Sequence, residues 1–230
     1  MNKTALIVGV GEATGQAICR AWAEEFKLIM VARSPNLIAK LEAELPNASA
    51  YQCDVADRDA WQNCLQQILA EHGQPDRILI NTECAAWGEY HELSLAQLDL
   101  SFDVNVVSVL QLVQVLFPSK GDIPSGTRLM ISSSPAAYNP PARFLGLAPS
   151  RVAQRVLAEL LHANLSDAGL AFSVFSINGA INEPNMRSVY ADKPDSFFIE
   201  PSDIAADMDQ VFSSNEFPLA AEIRGESAFA

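Results

Sequence analysis

The feature that most constrains the fold of this chain is a regular alternation between short apolar runs and longer stretches with helical spacing. Seven apolar runs predict strands, at residues 4–8, 28–31, 50–53, 77–80, 128–131, 172–177 and 219–223. Apolar residues every three or four positions predict the intervening helices, at residues 13–26, 36–45, 57–71, 95–116, 151–165 and 201–212. A run that is apolar at every position, such as residues 28–31, indicates a strand covered on both faces. The alternation therefore predicts an α/β fold of the Rossmann type, a doubly wound, mostly parallel seven-stranded sheet with helices on both faces.

The length of the chain and its uniform pattern predict one domain. A chain of 230 residues buries one large core, and neither a repeat nor a low-complexity linker divides it. Residues 182–200 break the pattern with Pro184, Pro194 and mixed polarity. Two interpretations of this segment stay open: a lid over a substrate pocket, or a plain surface excursion. We expect a single domain over residues 1–230.

The charge and the cysteines limit the partners and the compartment. The net charge of −13 repels phosphate backbones and anionic lipid head groups, so neither nucleic acid nor a membrane is expected as a partner. We expect no signal peptide and no apolar run near the roughly 20 residues of a membrane span. The four cysteines, Cys19, Cys53, Cys64 and Cys84, form no CxxC pair, so no metal site or disulfide framework is expected. A reducing cytoplasm is the favoured location.

A glycine-rich loop follows the first predicted strand. Ligands in this architecture bind at the carboxyl ends of the strands, and glycines there let the N–H groups of the next helix face a pyrophosphate. The predicted cofactor-binding residues of this loop are Gly9, Gly11, Glu12, Ala13, Thr14 and Gly15. The alternative is a strand–helix turn without a ligand. Three glycines within seven residues, between a strand and a helix, favour dinucleotide binding.

The second strand ends in Ala32-Arg33-Ser34, which bears on the choice of cofactor. In this fold an acidic residue near that point holds the ribose of NAD, whereas an arginine accommodates the 2′-phosphate of NADP. Arg33, with Ser34 beside it, therefore favours NADP over NAD. A solvated arginine is the alternative, and the negative charge of Glu12 argues against NADP.

Five short segments of the chain match the motifs of one known protein family. They are Gly9-x-x-x-Ala13-x-Gly15, Cys53-Asp54-Val55, Asn81-Thr82-Glu83-Cys84, Phe102-Asp103-Val104-Asn105 and Met130-Ile131-Ser132-Ser133-Ser134. Together they resemble the short-chain dehydrogenase/reductase family over nearly the whole chain. The departures are Ala13 for the middle glycine of the loop, and Thr82-Glu83-Cys84 for most of the usual Asn-Asn-Ala-Gly. The resemblance implies hydride transfer between a nicotinamide cofactor and a carbonyl or alcohol.

The same resemblance implies further cofactor contacts. The residues concerned are Asp54, Val55, Asn81, Thr82, Arg151, Gly179 and Ile181. Asp54 and Val55 would meet the adenine, and Gly179 with Ile181 the nicotinamide side. For Asp54 an alternative is that its side chain only caps a turn.

The resemblance implies an altered catalytic set. Ser133 matches the serine that orients the substrate carbonyl, and Asn105 matches an asparagine of a water-mediated proton relay. The family's Tyr-x-x-x-Lys pair is replaced by Leu147 and Arg151. Leucine has no proton to donate, and arginine is always charged, so Arg151 retains only ribose binding and positive charge. Three side chains in loops at the carboxyl edge of the sheet could replace the missing proton donor: Tyr138, Tyr90 and His91. We select Tyr138 as the candidate.

Three functional hypotheses follow. The first is an NADP-dependent oxidoreductase with an altered proton donor, and the second is a catalytically inactive NADP-binding sensor or partner subunit. The third is an α/β scaffold that has lost its ligand, which the glycine loop disfavours. We favour the oxidoreductase because most of the site-forming framework is kept.

The predicted substrate and assembly rest on weaker patterns. The loops at residues 85–91, 135–147 and 182–200 contain Trp87, Tyr138, Phe144, Tyr190 and Phe197. These side chains favour a small, partly apolar substrate, unless they only pack the loops down. The helices at 95–116 and 151–165 are rich in Val, Leu and Ala, which favours a homodimer or homotetramer.

Overall fold

The centre of the molecule is a seven-stranded parallel sheet. The computed structural model describes residues 3–84, 86 and 88–226. The strands are β1 Lys3–Val8, β2 Phe26–Ala32, β3 Ala48–Gln52, β4 Arg77–Ile80, β5 Thr127–Ser133, β6 Leu170–Asn178, β7 Ala180–Ile181, β8 Phe198–Ile199 and β9 Ala220–Arg224. The large sheet has the order β3-β2-β1-β4-β5-β6-β9, and every neighbouring pair is parallel. The chain leaves β1 towards β2 on one side and later returns to β4 on the other side, which opens a crevice at the carboxyl end of β1.

Helices cover both faces of the sheet, as predicted. They are α1 Thr14–Trp22, α2 Pro35–Glu44, α3 Arg58–His72, α4 Leu95–Phe102, α5 Ser108–Leu116, α6 Ala148–Leu165, α7 Pro184–Val189 and α8 Pro201–Ser213. On one face α3, α5 and α6 pack around Trp61, Leu112 and Phe172. On the other, α1, α2 and α8 pack around Trp22 and Phe212. The two separate apolar cores confirm the doubly wound architecture.

Local signals set most of the helix ends. Asp57 accepts a hydrogen bond from the backbone N–H of Ala60 at 3.0 Å, and Gly73 ends α3 with φ +72°. An aspartate N-cap and a glycine after the last turn are favoured helix ends, and α3 lies within one residue of the helix predicted over 57–71. The start of α6 was predicted three residues too late, at Arg151 instead of Ala148. Pro149 stands in its first turn, where a missing N–H costs nothing.

The predicted helix over residues 95–116 contains an irregularity. A π-helical turn at Asp103–Val107 joins α4 to α5. At the start of α4, Ser94 and Gln97 form a capping box. By length and composition Leu95–Leu116 is apolar enough to cross a membrane, with a mean hydropathy of 1.3 in its most apolar window. The expectation that no stretch of this length exists was therefore wrong. Here the stretch packs on the sheet, with Val109, Leu112 and Leu116 fully buried.

Residues 182–200 form a folded excursion rather than an irregular loop. The segment contains α7, and β8 pairs with β7 in parallel register. Arg187 braces the segment: Nε donates to Asn182 Oδ1 at 2.6 Å and Nη1 to Asp195 Oδ1 at 2.7 Å, while the guanidinium lies 4.0 Å from the ring centre of Phe198. A role as a substrate lid stays a prediction.

Candidate functional site

A cleft of about 620 Å³ opens at the carboxyl ends of β1 to β4. Its volume is in the range of cofactor sites. Of the predicted cofactor-binding residues, the cleft is lined by Gly9, Gly11, Glu12, Arg33, Ser34, Asp54, Val55, Asn81 and Thr82. Loops after four different strands supply these residues, so the fold brings distant parts of the sequence to one surface. Ala13, Thr14 and Gly15 follow directly, at the start of α1.

Close backbone contacts fix the glycine loop. Gly9 has φ +89°, and a Cβ on it would lie 2.7 Å from the backbone of Asn81. Asn81 Nδ2 donates to the Gly9 carbonyl at 3.1 Å, which ties the ends of β1 and β4 together. A Cβ on Gly15 would lie 2.8 Å from Val10 Cα, whereas one on Gly11 would meet nothing within 4 Å. The loop is therefore packed on its inner side and open at Gly11, towards the cleft.

The first turn of α1 has the character of an anion site. Ala13 is its N-cap residue and provides no side-chain cap. Thr14 Oγ1 is buried and has no hydrogen-bond partner among the described residues. A helix N-terminus combines free N–H donors with a positive dipole end. The residues present thus fit a pyrophosphate at the start of α1.

The cleft also has a cationic and an acidic residue beyond the glycine loop. Arg33 is exposed and forms no ion pair within the described parts of the chain. Ser34 is the N-cap of α2 and makes no cap hydrogen bond. Asp54 Oδ1 accepts from the backbone N–H of Ala56 at 3.0 Å, so it caps a turn as well as lining the cleft.

Arg151 is buried behind the cleft wall. Its side chain is 3% exposed. Nη1 donates to the Ser132 carbonyl at 3.1 Å and to Gln154 Oε1 at 2.8 Å, and Nη2 donates to the Thr82 carbonyl at 3.3 Å. Burial lowers the pKa of the guanidinium, and the nearby carboxylate of Glu83 opposes that shift. Arg151 thus joins the ends of β4 and β5 through their carbonyls.

Two carboxylates that the sequence analysis did not assign lie on this side of the site. Glu83 lines the cleft, and its Oε2 is 3.7 Å from Nη2 of Arg151. Glu183 follows β7, and its pKa is raised by burial and then by the charge of Glu83. For Glu83 the position after the predicted fourth strand was the available signal in the sequence, whereas Glu183 follows the two-residue strand β7, which was not predicted. Ile181, also a predicted cofactor contact, is in register with Ile199, and Gly179 turns the chain at φ +153°.

Asn105 is fully buried in the π-helical turn and holds a polar cluster together. Its Nδ2 donates to the Cys84 carbonyl at 3.1 Å and to Ser150 Oγ at 2.9 Å. Ser150 Oγ lies 2.7 Å from Ser101 Oγ. The cluster therefore connects the loop after β4 with α4 and the first turn of α6. Its proton-relay role stays a prediction.

Ser133 and Leu147 lie in different surroundings. Ser133 is 5% exposed, and its Oγ has no partner among the described residues. It is in register with Ser176 of β6, whose Oγ is also unpartnered among those residues. Leu147 is 2% exposed and packs with Phe144 and two alanines. The position of the family's tyrosine is thus filled by an apolar cluster.

The candidate substitute acids do not line the cleft. Tyr138 lies at a second depression of about 480 Å³, whose lining includes Ser176 and Glu222. That depression shares no described lining residue with the cleft. Burial raises the pKa of Tyr138, and its ring lies 5.2 Å from the guanidinium of Arg155. Tyr90 and His91 are exposed.

The aromatic side chains of the predicted substrate loops mostly contact one another. Phe144 belongs to the cluster around Leu147, and the rings of Tyr190 and Phe197 lie 5.1 Å apart. Trp87 lies outside the described residues. No group of three His, Cys, Asp or Glu side chains suited to a metal ion occurs within residues 3–84, 86 and 88–226.

Comparisons with known proteins point to one family. A family model described as short chain dehydrogenase matches residues 3–193. The chain is 30% identical over 209 residues to "Short chain dehydrogenase/reductase AacuD" of Aspergillus aculeatus, covering 85% of this chain and 69% of that protein. It is 25% identical over 172 residues to the Mycobacterium bovis protein named "Probable oxidoreductase EphD", covering 73% of this chain and 29% of that protein. A solved short chain dehydrogenase of Burkholderia cenocepacia in complex with NADP has a TM-score of 0.82 at 20% identity, covering 99% of this chain and 98% of that one.

Proposed function

Because this chain belongs to the short-chain dehydrogenase family, we propose that it is an NADP(H)-dependent oxidoreductase acting on a carbonyl or alcohol substrate. The observation that supports this most is the cleft at the crevice beside β1, with the glycine loop on its floor. We place this activity in the cytoplasm, where Cys19, Cys53, Cys64 and Cys84 remain free thiols.

The cofactor residues divide by their place in the cleft. The open backbone at Gly11 and the first turn of α1 with Thr14 hold the pyrophosphate. Asp54 and Val55, after β3, flank the adenine. Ile181, after β6, meets the nicotinamide end. When bound, the cofactor supplies or accepts the hydride.

NADP is the favoured cofactor because of the cation at the end of β2. Arg33 is exposed at the cleft, and Ser34 offers a hydroxyl and the N-terminus of α2 beside it. A guanidinium binds a 2′-phosphate through charge-assisted hydrogen bonds, which NAD does not offer. The Burkholderia relative binds NADP on the same fold.

The reaction lacks the usual proton donor, so we expect slow turnover. Ser133 orients the substrate carbonyl, and Asn105 holds the loop after β4 in place. Leu147 has no proton to give. A positioned acid is worth about 10²–10⁴-fold in rate, and that factor is absent unless another group replaces it. We expect a small, partly apolar substrate next to Ser133.

A second candidate function is cofactor binding without chemistry. The observation that favours it is the packing of Leu147 into an apolar cluster, while Tyr138 faces another depression. Such a protein would act as a sensor or partner subunit. It differs from the first candidate in one measurable respect: bound NADPH would not be consumed with any carbonyl substrate.

The test of cofactor choice is a fluorescence titration of the purified protein with NADPH and NADH. We expect NADPH to bind more tightly, and Arg33→Ala to weaken NADPH about tenfold or more while leaving NADH unchanged. Lys40→Ala on α2 is the matched control, because it removes one positive charge away from the cleft lining.

Each outcome separates the candidates. If neither dinucleotide binds, the oxidoreductase and the sensor proposals both fail. If NADPH binds, a screen of carbonyl substrates with the loaded protein follows: oxidation of NADPH supports the enzyme, and its absence across the screen supports the sensor. Equal losses for Arg33→Ala and Lys40→Ala would contradict the assignment of Arg33.

A further inference from the structure

The order of the strands places Glu83 beside the nicotinamide half of a bound dinucleotide. Arg33 and Asp54 follow β2 and β3, on one side of β1. Glu83 follows β4, on the other side of β1. With the pyrophosphate at the β1 loop and the 2′-phosphate at Arg33, the other half of the dinucleotide has to extend over β4.

The carboxylate of Glu83 is free to accept hydrogen bonds. It is about half exposed, lines the cleft, and makes no hydrogen bond with any described residue. The distance of 3.7 Å between Oε2 of Glu83 and Nη2 of Arg151 is longer than a hydrogen bond. Phosphates of the dinucleotide are anions and repel a carboxylate. Ribose hydroxyls are donors, and carboxylates bind ribose hydroxyls in this fold.

The guanidinium of Arg151 is poorly placed for the same task. Its side chain is 3% exposed, and both Nη atoms already donate to acceptors inside the protein. Its positive charge lies behind Glu83 and offsets the repulsion between that carboxylate and the pyrophosphate. Arg151 also fixes the carbonyl of Thr82, the residue before Glu83. Arg151 thus sets the position and the electrostatics of Glu83.

We propose, resting on the NADP-binding function above, that Glu83 binds the ribose hydroxyls of the nicotinamide half, with Arg151 as its positioning residue. The expected contribution follows from the chemistry. Hydrogen bonds to a charged group contribute about 1.5–3 kcal/mol, which is about 10- to 150-fold in affinity.

The test is calorimetric titration of the wild type, Glu83→Ala and Glu83→Gln with two ligands. NADPH has the nicotinamide half, and 2′,5′-ADP has only the adenosine half with its 2′-phosphate. We expect Glu83→Ala to weaken NADPH about tenfold or more and to leave 2′,5′-ADP within about twofold. Glu83→Gln keeps the size of the side chain and one acceptor, so a smaller loss in the same direction is expected.

A third ligand separates direct contact from a structural effect. With an NADPH analogue that lacks both hydroxyls of the nicotinamide ribose, the penalty of Glu83→Ala should disappear. A penalty that persists with this analogue, a parallel loss of 2′,5′-ADP, or unchanged or tighter NADPH binding would overturn the assignment of Glu83 alone. Should the wild type bind neither NADPH nor 2′,5′-ADP, the NADP-binding function fails, and this assignment with it. If Glu83→Ala does not fold, Glu83→Gln decides by the same criteria.

Discussion

Gly9 is the residue of the loop whose replacement should damage the fold most directly. Its φ of +89° is unfavourable for any residue with a Cβ, and that Cβ would lie 2.7 Å from the Asn81 backbone. We expect Gly9→Ala to reduce the free energy of unfolding by about 2 kcal/mol or more, since strain and overpacking add. Urea denaturation followed by circular dichroism measures it.

Gly73 supplies the matched control for that substitution. It has a similar φ of +72°, but a Cβ there would meet nothing within 4 Å. Gly73→Ala should therefore show the backbone strain alone, about 1–3 kcal/mol for this conformation with ψ near −164°. The excess loss in Gly9→Ala reports the close approach of the β1 and β4 ends. Equal losses for the two variants would show that this contact contributes nothing to stability.

Single residues differ in how much the sequence revealed about them. Gly9 and Arg33 stand at strand ends, where the architecture predicts ligand contact, whereas Asp54 was implied by the family resemblance. All three line the cleft. The partnership of Glu83 with Arg151 was not predictable in this way. It joins the end of β4 to the first turn of α6, 68 positions apart in sequence, and depends on the packing of the two elements.

At the scale of elements, the ends of β3 and α3 meet in a pH-sensitive contact. The hydroxyl oxygen of Tyr51 lies 2.6 Å from Nε2 of His72, and this hydroxyl donates a hydrogen bond to the carboxylate of Glu71. Burial lowers the pKa of His72, and Lys27 adds to the shift while Glu71 opposes it. A base with a lowered pKa in the folded state stabilises the fold above its unfolded pKa of about 6.5. That stability is lost progressively as the pH falls below this value and through the lower pKa of the folded state.

We therefore expect the urea concentration at the unfolding midpoint to decrease when the pH is lowered from 7.5 to 5.5. Over this range His72 should take up as much as one proton when the protein unfolds. His72→Gln should flatten this dependence. The exposed His91 offers the control, and His91→Gln should leave the slope as in the wild type. An unchanged slope in His72→Gln would contradict a role for this contact.

Elements were predictable where periodicity and caps act locally, as for α3 between Asp57 and Gly73. The π-helical turn at Asp103–Val107 was not, because an extra residue in one turn leaves the apolar pattern nearly unchanged. The ordered structure of residues 182–200 was not predictable for another reason. Its order comes from the contacts of Arg187 with side chains distant in the segment, which no spacing rule reports.

At the scale of the whole molecule, α5 and α6 leave apolar side chains uncovered. The predicted apolar faces divide: Val109 and Val113 are buried on the sheet, while Leu110, Val156 and Leu160 are exposed, Leu160 by 58%. Exposed apolar side chains on two helices that cover the same face of the sheet are typical of a symmetric interface. We therefore propose that the chain forms a homodimer or homotetramer through this face.

Leu110→Glu combined with Leu160→Glu should convert the assembly to monomers, because each introduced carboxylate would be buried without a partner in the interface. Sedimentation velocity at micromolar concentration measures the result. Val189→Glu is the control: Val189 is 69% exposed on α7 rather than on α5 or α6, so this variant should keep the wild-type mass. A monomeric wild type would refute the proposed assembly. An intact oligomer in the double variant would show that the subunits associate through another surface. NADPH titration of the double variant then shows whether the cleft binds the cofactor within one subunit.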